Sequence, residues 1–143
     1  VLKGLPLLFA VRKDDVNIAK SLCSEIENTV KGAKVSFCLI DELSGDIDVL
    51  VNATPIGMFP KLDAQPVTDS VISRCASVFD AVYNPLETVL IQKALANGSK
   101  AVGGMSMLVW QAVVAHEKWD GSVYDKEEIA KLCIDSAEEL KNR

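Results

Sequence analysis

The stretch "DVLVNATPIGM", residues 48–58, indicates the fold class of this sequence more directly than any other segment. The apolar run that ends in it predicts a strand over Asp46–Thr54, and a strand this apolar is expected to be buried on both faces of a parallel sheet. An amide, a hydroxyl and a glycine then follow, where a simple turn would suffice. Such groups are typical of a loop that faces a ligand.

Outward from this strand, further apolar runs alternate with helical patterns. Strands are predicted at Leu5–Val11 (a buried one), Lys34–Ile40, Ala76–Tyr83 and Lys100–Val102. Helices are predicted from a cap at Asp14 or Asp15 to Lys31-Gly32, and over Thr68–Arg74, Glu87–Asn97, Gly104 or Ser106 to Trp119, and Lys126–Lys141. This alternation predicts a parallel α/β sheet, in which ligands bind beyond the carboxyl ends of the strands.

Composition and charge argue against several classes of function. A net charge of −5 with scattered basic residues disfavours nucleic-acid binding. No apolar stretch approaches the ~20 residues of a membrane span, so no membrane partner is expected. The four cysteines form no paired motif and are interpreted as small core residues, which predicts a reducing, cytoplasmic location. The single His116 has no ligating neighbour in sequence, so no metal site is predicted.

Three motifs, in this order and spacing, carry a resemblance to a known family. They are "DVLVNATPIGM" (48–58), "FDAVYNPLET" (79–88) and "GGMSMLVWQAVVAHEKWDG" (103–121). With them, residues 5–143 resemble the C-terminal NADP-binding domain of shikimate dehydrogenases. The resemblance implies a doubly wound, Rossmann-like parallel sheet. It also implies an oxidoreductase of aromatic amino-acid biosynthesis that reduces 3-dehydroshikimate to shikimate with NADPH.

The resemblance places Arg12, with Lys13 beside it, at the 2′-phosphate of NADP. A guanidinium suits that dianion through charge-assisted hydrogen bonds. Asp14 and Asp15 could instead favour the free 2′-hydroxyl of NAD. NADP is therefore the expected cofactor and NAD is left open. The alternative interpretation of this segment is a solvated turn with a helix cap.

The resemblance assigns a second set of residues to the rest of the cofactor. They are Asn52, Ala53, Thr54, Met58, Ala81 and Gly104. Ala53 is small enough for close backbone approach, and Thr54 offers a hydroxyl. Gly104 is expected to present its carbonyl to the nicotinamide carboxamide, its missing side chain leaving room for the ring. A capped turn is the alternative interpretation of residues 52–54.

Tyr83 and Gln111 are the substrate-binding residues that the resemblance implies. Gln111 is an amide within the apolar helical sequence "MLVWQAVVA", and a buried amide requires hydrogen-bond partners. In the family that partner is a hydroxyl of shikimate. Tyr83 could equally be a core aromatic residue with its hydroxyl at the rim.

Two parts of the family pattern are absent from these residues. The first strand and its glycine-rich turn are expected upstream of Leu5, so residues 1–121 are interpreted as a partial dinucleotide-binding domain. Residues 122–143 are expected to form the C-terminal helix that packs on the substrate domain in the family, with an apolar stripe exposed unless something covers it. The family's acid–base lysine and aspartate belong to that N-terminal domain, so no catalytic residue is assigned here. The expected partners are shikimate or 3-dehydroshikimate, and an N-terminal domain or another chain that completes the sheet.

Other interpretations stay open at this point. The chain could be a non-catalytic nucleotide-binding fragment or an interaction module of the same fold. It could also belong to a quinate/shikimate dehydrogenase that uses NAD, and the sequence leaves a homo-oligomer open.

Overall fold

The chain contains two compact units, residues 1–45 and residues 46–143. The structure, a computed structural model, describes residues 5–142. Each unit is built from parallel strands joined through helices, which is the connection that parallel pairing requires. The predicted α/β class with parallel strands is confirmed.

The first unit is a two-stranded parallel sheet with one described long helix. Its elements are β1 (Pro6–Val11), a 3-10 turn (Lys13–Asp15), α1 (Val16–Thr29) and β2 (Lys34–Leu39). β1 pairs with β2 along its whole length. Ala19 and Cys23 of α1 are buried, as their helical spacing predicts.

The first strand is less buried than its apolar sequence predicts. Leu7 and Leu8 are 39% and 49% exposed. Successive side chains of a strand point to opposite faces, so both faces of β1 are partly open to solvent. The prediction of a buried strand is therefore wrong here, because β1 has a single strand neighbour among the described residues.

The second unit is a three-stranded parallel sheet in the order β3-β4-β5. Its elements are β3 (Ile47–Asn52), α2 (Asp69–Ile72), β4 (Cys75–Asp80), α3 (Val89–Ala96), β5 (Lys100–Val102), α4 (Met105–Trp119) and α5 (Lys126–Lys141). Ile72, Val78, Leu90 and Ala94 are among the buried residues of its core. In the register, Asn52 lies opposite Asp80.

One face of β3 is open to solvent, which contradicts the prediction that this strand is buried on both faces. Val49 and Val51 are 60% and 55% exposed. They share a face because side chains alternate along a strand. Among the described residues, this apolar face of β3 is therefore exposed to solvent.

The two C-terminal helices pack on each other. Val109 and Val113 of α4 form a buried cluster with Ile129 of α5. The stripe of α5, which was expected to be exposed unless another chain or segment covers it, is covered in part by α4, while Leu132 stays 40% exposed. α5 begins in a reciprocal cap, in which Asp125 accepts from the Glu128 N–H at 2.8 Å and Glu128 accepts from the Asp125 N–H at 3.0 Å.

The cysteines occupy interior or half-buried positions as free thiols. Cys23 and Cys75 are buried, and Cys38 and Cys133 are half-buried. Burial raises the pKa of the Cys38 and Cys75 thiols. Within residues 5–142, none of the helices combines the length and apolar character that a bilayer span needs.

Helix α3 offers a matched test of this core. Leu90 is 1% exposed and Leu95 is 50% exposed on the same helix. Leu90→Ala is expected to lower the free energy of unfolding by about 2–5 kcal/mol through lost burial and a cavity, and Leu95→Ala by less than about 1 kcal/mol. Denaturant titrations followed by the fluorescence of Trp110 and Trp119 would measure both. Equal losses would contradict the assigned burial.

The end of α4 carries a small hydrogen-bonded cluster around Asp120. Its Oδ2 lies 3.0 Å from His116 Nδ1, and its Oδ1 accepts from the Ser122 N–H at 2.9 Å and from the Ser122 hydroxyl. The hydrogen bond with His116, followed by those from Ser122, lowers the pKa of Asp120 to about 2.

Asp120 is therefore expected to titrate at an abnormally low pH. Because the folded pKa lies below the unfolded value of 3.8, the stabilising effect of the ionised carboxylate is present above pH 3.8 and is lost as the pH falls to about 2. His116→Ala should raise the pKa of Asp120. NMR titration of the side-chain carboxyl carbon measures it, and a wild-type midpoint at the unfolded value would refute the cluster.

Candidate functional site

The carboxyl ends of β3, β4 and β5 lie at one edge of the second unit's sheet, because the three strands are parallel. Three of the stretches that the sequence singles out follow these ends. The Ala81 N–H donates to the Asn52 carbonyl at 3.0 Å, and the Gly104 N–H donates to the Val82 carbonyl at 2.9 Å. The structure thus brings residues 52–58, 81–83 and 103–105 together.

A buried carboxylate holds this edge together. Asp80 ends β4 with none of its surface exposed. Its Oδ1 accepts from Asn52 Nδ2 at 2.9 Å and from the Val82 N–H at 3.0 Å. Its Oδ2 accepts from the Thr88 hydroxyl at 2.6 Å. One side chain therefore fixes the end of β3, the loop after β4 and the start of α3.

Asn52 extends the network into the loop after β3. Its side chain is buried, with Nδ2 also donating to the Ile56 carbonyl at 3.2 Å. Its Oδ1 accepts from the Thr54 N–H at 3.1 Å and from the Thr54 hydroxyl at 2.7 Å. The Asn52 amide therefore shapes the loop from within, and any contact of this residue with a cofactor stays a prediction.

The Thr54 hydroxyl is likewise engaged inside the loop. It donates to Asn52 and accepts from the Ile56 N–H at 3.2 Å. Gly57 then turns the chain with a φ of 91°, a conformation that favours glycine. The Phe59 N–H donates to the Asn84 carbonyl at 3.0 Å, which ties this loop to the loop after β4.

Gly104 lies in close contact with the backbone of Ala81. A Cβ built on Gly104 would collide with the Ala81 carbonyl oxygen and lie 2.6 Å from the Ala81 carbonyl carbon. The glycine is therefore required by the close approach of two backbone segments. Room for a nicotinamide ring is not needed to explain it.

The outer surface of this edge is mostly apolar and lined by small residues. Ala53 and Thr54 are exposed and Ala81 is half-buried. Met58 and Tyr83 are 41% and 40% exposed. Small residues with apolar neighbours leave room for a flat ring to lie against the backbone. Among residues 5–142, no His, Cys, Asp or Glu cluster fits a metal ion.

Arg12 and Lys13 lie in the first unit, directly after β1. The Arg12 side chain is 74% exposed, and its Nε donates to Asp15 Oδ2 at 2.8 Å. This hydrogen bond raises the pKa of Arg12 above its ordinary value. The Asp15 carboxylate, which could compete with a phosphate for the Arg12 guanidinium, is thus already paired with it.

Gln111 is exposed, which corrects the expectation of a buried amide. The apolar sequence around it predicts burial, but Val109 and Val113 are the buried residues of α4, and Trp110 and Val114 are 45% and 41% exposed. Gln111 lines an open groove of about 560 Å³ on α4 together with Met107, Trp110, Val114, Ala115, Lys118 and Trp119. Because water can hydrogen-bond to an exposed amide, Gln111 needs no hydrogen-bond partner within the chain.

The sequence interpretation missed Asp80 and Thr88. Both are buried polar residues of the motif at 79–88, and the hydrogen bond between them lies inside the carboxyl edge of the sheet. A signal was present, since a carboxylate that directly follows the apolar residues Val78 and Phe79 must be buried with hydrogen-bond partners.

Comparison with known proteins places this geometry in a family. The chain is 39% identical over 114 residues to the shikimate dehydrogenase (NADP(+)) of Caldanaerobacter subterraneus subsp. tengcongensis, a stretch that covers 78% of this chain and 40% of that protein. It is 35% identical over 124 residues to the shikimate dehydrogenase (NADP(+)) of Methanocaldococcus jannaschii, covering 84% and 44%. No family model matches the chain.

A solved structure of a shikimate dehydrogenase in complex with NADP+ matches 92% of this chain and 47% of that chain, with a TM-score of 0.71 and 32% identity. The chain belongs to the shikimate dehydrogenase family. The predicted family and its Rossmann-like parallel fold are therefore confirmed. The matched stretches cover less than half the length of these relatives.

Gly104→Ala tests the backbone contact at the centre of the edge. The added Cβ is expected to cost about 1–3 kcal/mol or more of unfolding free energy, because it must push the Ala81 carbonyl away. Ser106→Ala, in the first turn of the same helix, is the control and should change stability by less than about 1 kcal/mol. Denaturant titration measures the unfolding free energy of both variants. A Gly104→Ala protein as stable as the control would contradict the close approach of Gly104 to the Ala81 carbonyl.

Proposed function

We propose that this chain is the C-terminal, NADP-binding part of a shikimate dehydrogenase, an oxidoreductase that reduces 3-dehydroshikimate to shikimate with NADPH. The observation that carries the proposal is the convergence of three family motifs at one sheet edge, where Asp80 ties the first two together and the Gly104 N–H joins the third to the Val82 carbonyl. Within this proposal, residues 1–121 serve the cofactor, and residues 122–143 form a helix that packs on the substrate domain.

The nicotinamide end of the cofactor is proposed to lie on the second unit's edge. Ala81 and Gly104 would face the ring with backbone groups, and Met58 would flank it. Asn52, Ala53 and Thr54 would follow the ribose and pyrophosphate, with Asn52 and Thr54 acting mainly by fixing the loop. The nicotinamide supplies the hydride when the cofactor is bound.

The adenosine end is proposed to meet Arg12 and Lys13 in the first unit. A 2′-phosphate would compete with Asp15 for the Arg12 guanidinium, which presents several donors. The ion pair with Asp15 also favours a specific alternative, namely a quinate/shikimate dehydrogenase that uses NAD, whose free 2′-hydroxyl leaves that pair intact.

The substrate is proposed to contact Tyr83 and Gln111, whose side chains are both exposed. The acid–base lysine and aspartate of the family are assigned to an N-terminal substrate domain, on this or another chain. Residues 1–143 alone should therefore not catalyse the reaction. The open face of β3 and the groove on α4 support a partner that completes the fold. We place the protein in the cytoplasm because its four cysteines are free thiols.

Complementation tests the proposed function. The purified chain is mixed with an N-terminal domain from a family member, and shikimate is added with NADP+ or with NAD+. Absorbance of the reduced nicotinamide should appear only when both parts are present. Turnover by this chain alone would contradict the assignment of the catalytic lysine to the other part. A stable complex that binds no cofactor would favour a non-catalytic interaction module.

Arg12→Ala separates the two cofactors. Loss of a charged hydrogen bond to the 2′-phosphate should weaken NADP+ binding by about 1.5–3 kcal/mol and leave NAD+ binding nearly unchanged. Isothermal titration calorimetry measures both, with Lys20→Ala on the exposed side of α1 as the control. Equal effects on the two cofactors would contradict a phosphate contact and support the NAD alternative.

Gln111→Ala tests the substrate assignment in the complemented enzyme. The KM for shikimate should rise about tenfold or more, since the site then leaves a substrate hydroxyl unpaired, while the KM for NADP+ stays the same. Steady-state kinetics provide both values. Glu117→Ala, also exposed on α4, is the control. Parallel loss for shikimate and NADP+ would refute the assigned role.

A further inference from the structure

The hydrogen bonds around Asp80 define its charge. The Val82 N–H can only donate. The Thr88 hydroxyl donates to Asp80 Oδ2 at 2.6 Å and accepts from the Ile91 N–H at 3.3 Å. The Thr54 N–H donates to Oδ1 of Asn52, which fixes the orientation of the amide. Nδ2 of Asn52 therefore faces Asp80 and donates to its Oδ1. All three partners supply the hydrogen atom, so Asp80 is an ionised carboxylate.

This negative charge has no cation to balance it. Asp80 is fully buried, and no Lys, Arg or His among residues 5–142 forms an ion pair with it. Its three donors are neutral groups. A buried charge compensated only by neutral hydrogen bonds projects its field into the surrounding site, where solvent screens it weakly.

The Asp80 carboxylate lies close to the proposed nicotinamide position. Asp80 Oδ1 accepts from the Val82 N–H at 3.0 Å, so the carboxylate lies at the edge of the peptide that joins Ala81 to Val82. Ala81 is half-buried and packs against Gly104. A flat group in contact with this peptide would lie close to the carboxylate that accepts from its N–H.

We propose that Asp80 makes the site prefer the oxidised, cationic form of the nicotinamide cofactor over the neutral reduced form. The inference rests on the proposed function and deepens it. The two forms of the cofactor differ by one positive charge on the ring, so a fixed anion beside the Ala81–Val82 peptide attracts one form and not the other. Asp80 is thus a positioning residue for the loops and also sets the preference for one redox form of the cofactor.

This preference has a consequence for the reaction. In the proposed reaction the nicotinamide would supply a hydride, which carries two electrons, to the substrate ketone. The ring would thereby gain one positive charge, and the ketone oxygen would take up a proton from the acid–base group of the other domain. A carboxylate already in place stabilises the ring charge as it develops. Asp80 therefore favours hydride donation toward the substrate.

The wild-type chain provides the first measurement. Isothermal titration calorimetry with NADP+ and with NADPH gives two dissociation constants at one pH and salt concentration. NADP+ should bind more tightly, by about fivefold or more, as expected for unit charges a few ångströms apart in a weakly screened site. Equal affinities, or tighter binding of NADPH, would overturn the inference on the wild-type protein alone.

Two variants separate charge from geometry. Asp80→Asn removes the charge and should shift the ratio of the two dissociation constants toward NADPH by about fivefold or more. Thr88→Val removes one hydrogen bond to the carboxylate and keeps the charge, so it should weaken both forms alike and leave the ratio unchanged. A merely structural Asp80 would give the same ratio in all three proteins, which would overturn the proposal.

The remaining outcomes are also decisive. If Asp80→Asn does not fold, which circular dichroism detects, the wild-type ratio decides. If the wild-type chain binds both forms equally, only this inference fails and the proposed cofactor site stands. If it binds neither NADP+ nor NADPH, even with the complementing N-terminal domain present, the proposed function fails and the inference with it.

Discussion

The second unit depends on the hydrogen bonds that bury the Asp80 carboxylate. Asn52, Val82 and Thr88 donate to it from three different segments. A buried charge is costly unless such partners are present, and removing one of them leaves an unsatisfied group that costs about 1–3 kcal/mol. The loops after β3 and β4 are therefore held in one arrangement with the N-terminus of α3. The same hydrogen bonds fix the backbone of the exposed residues in these loops.

The same network explains how a small sheet can present a site. Parallel strands bring three loops to one edge, but sheet pairing ends at Asn52 and Asp80. Beyond that register the loops are joined by side chains and by single backbone bonds such as Phe59 to Asn84. Residues on the outside of these loops, among them Ala53 and Tyr83, are free to meet a ligand because the polar groups beneath them are already satisfied.

Much of this was predictable from the sequence. Apolar runs and glycine stops predicted the strands and helices, and three motifs predicted the family. Burial was harder, because it depends on which neighbours are present. Val49, Val51 and Gln111 lie in apolar sequences yet are exposed, since the described residues leave one face of β3 and much of α4 uncovered. Asp80 was missed because its role comes from contacts with residues distant in sequence, such as Asn52.

We propose that the edge formed by these loops binds the nicotinamide half of the cofactor. Titration of the isotope-labelled chain with NADP+, followed by backbone amide chemical shifts, tests it most directly. The account predicts the largest shifts at residues 53–58, 81–83 and 104–106, with small shifts on α5. Shifts that avoid this edge, or saturable binding that perturbs only α5, would contradict it.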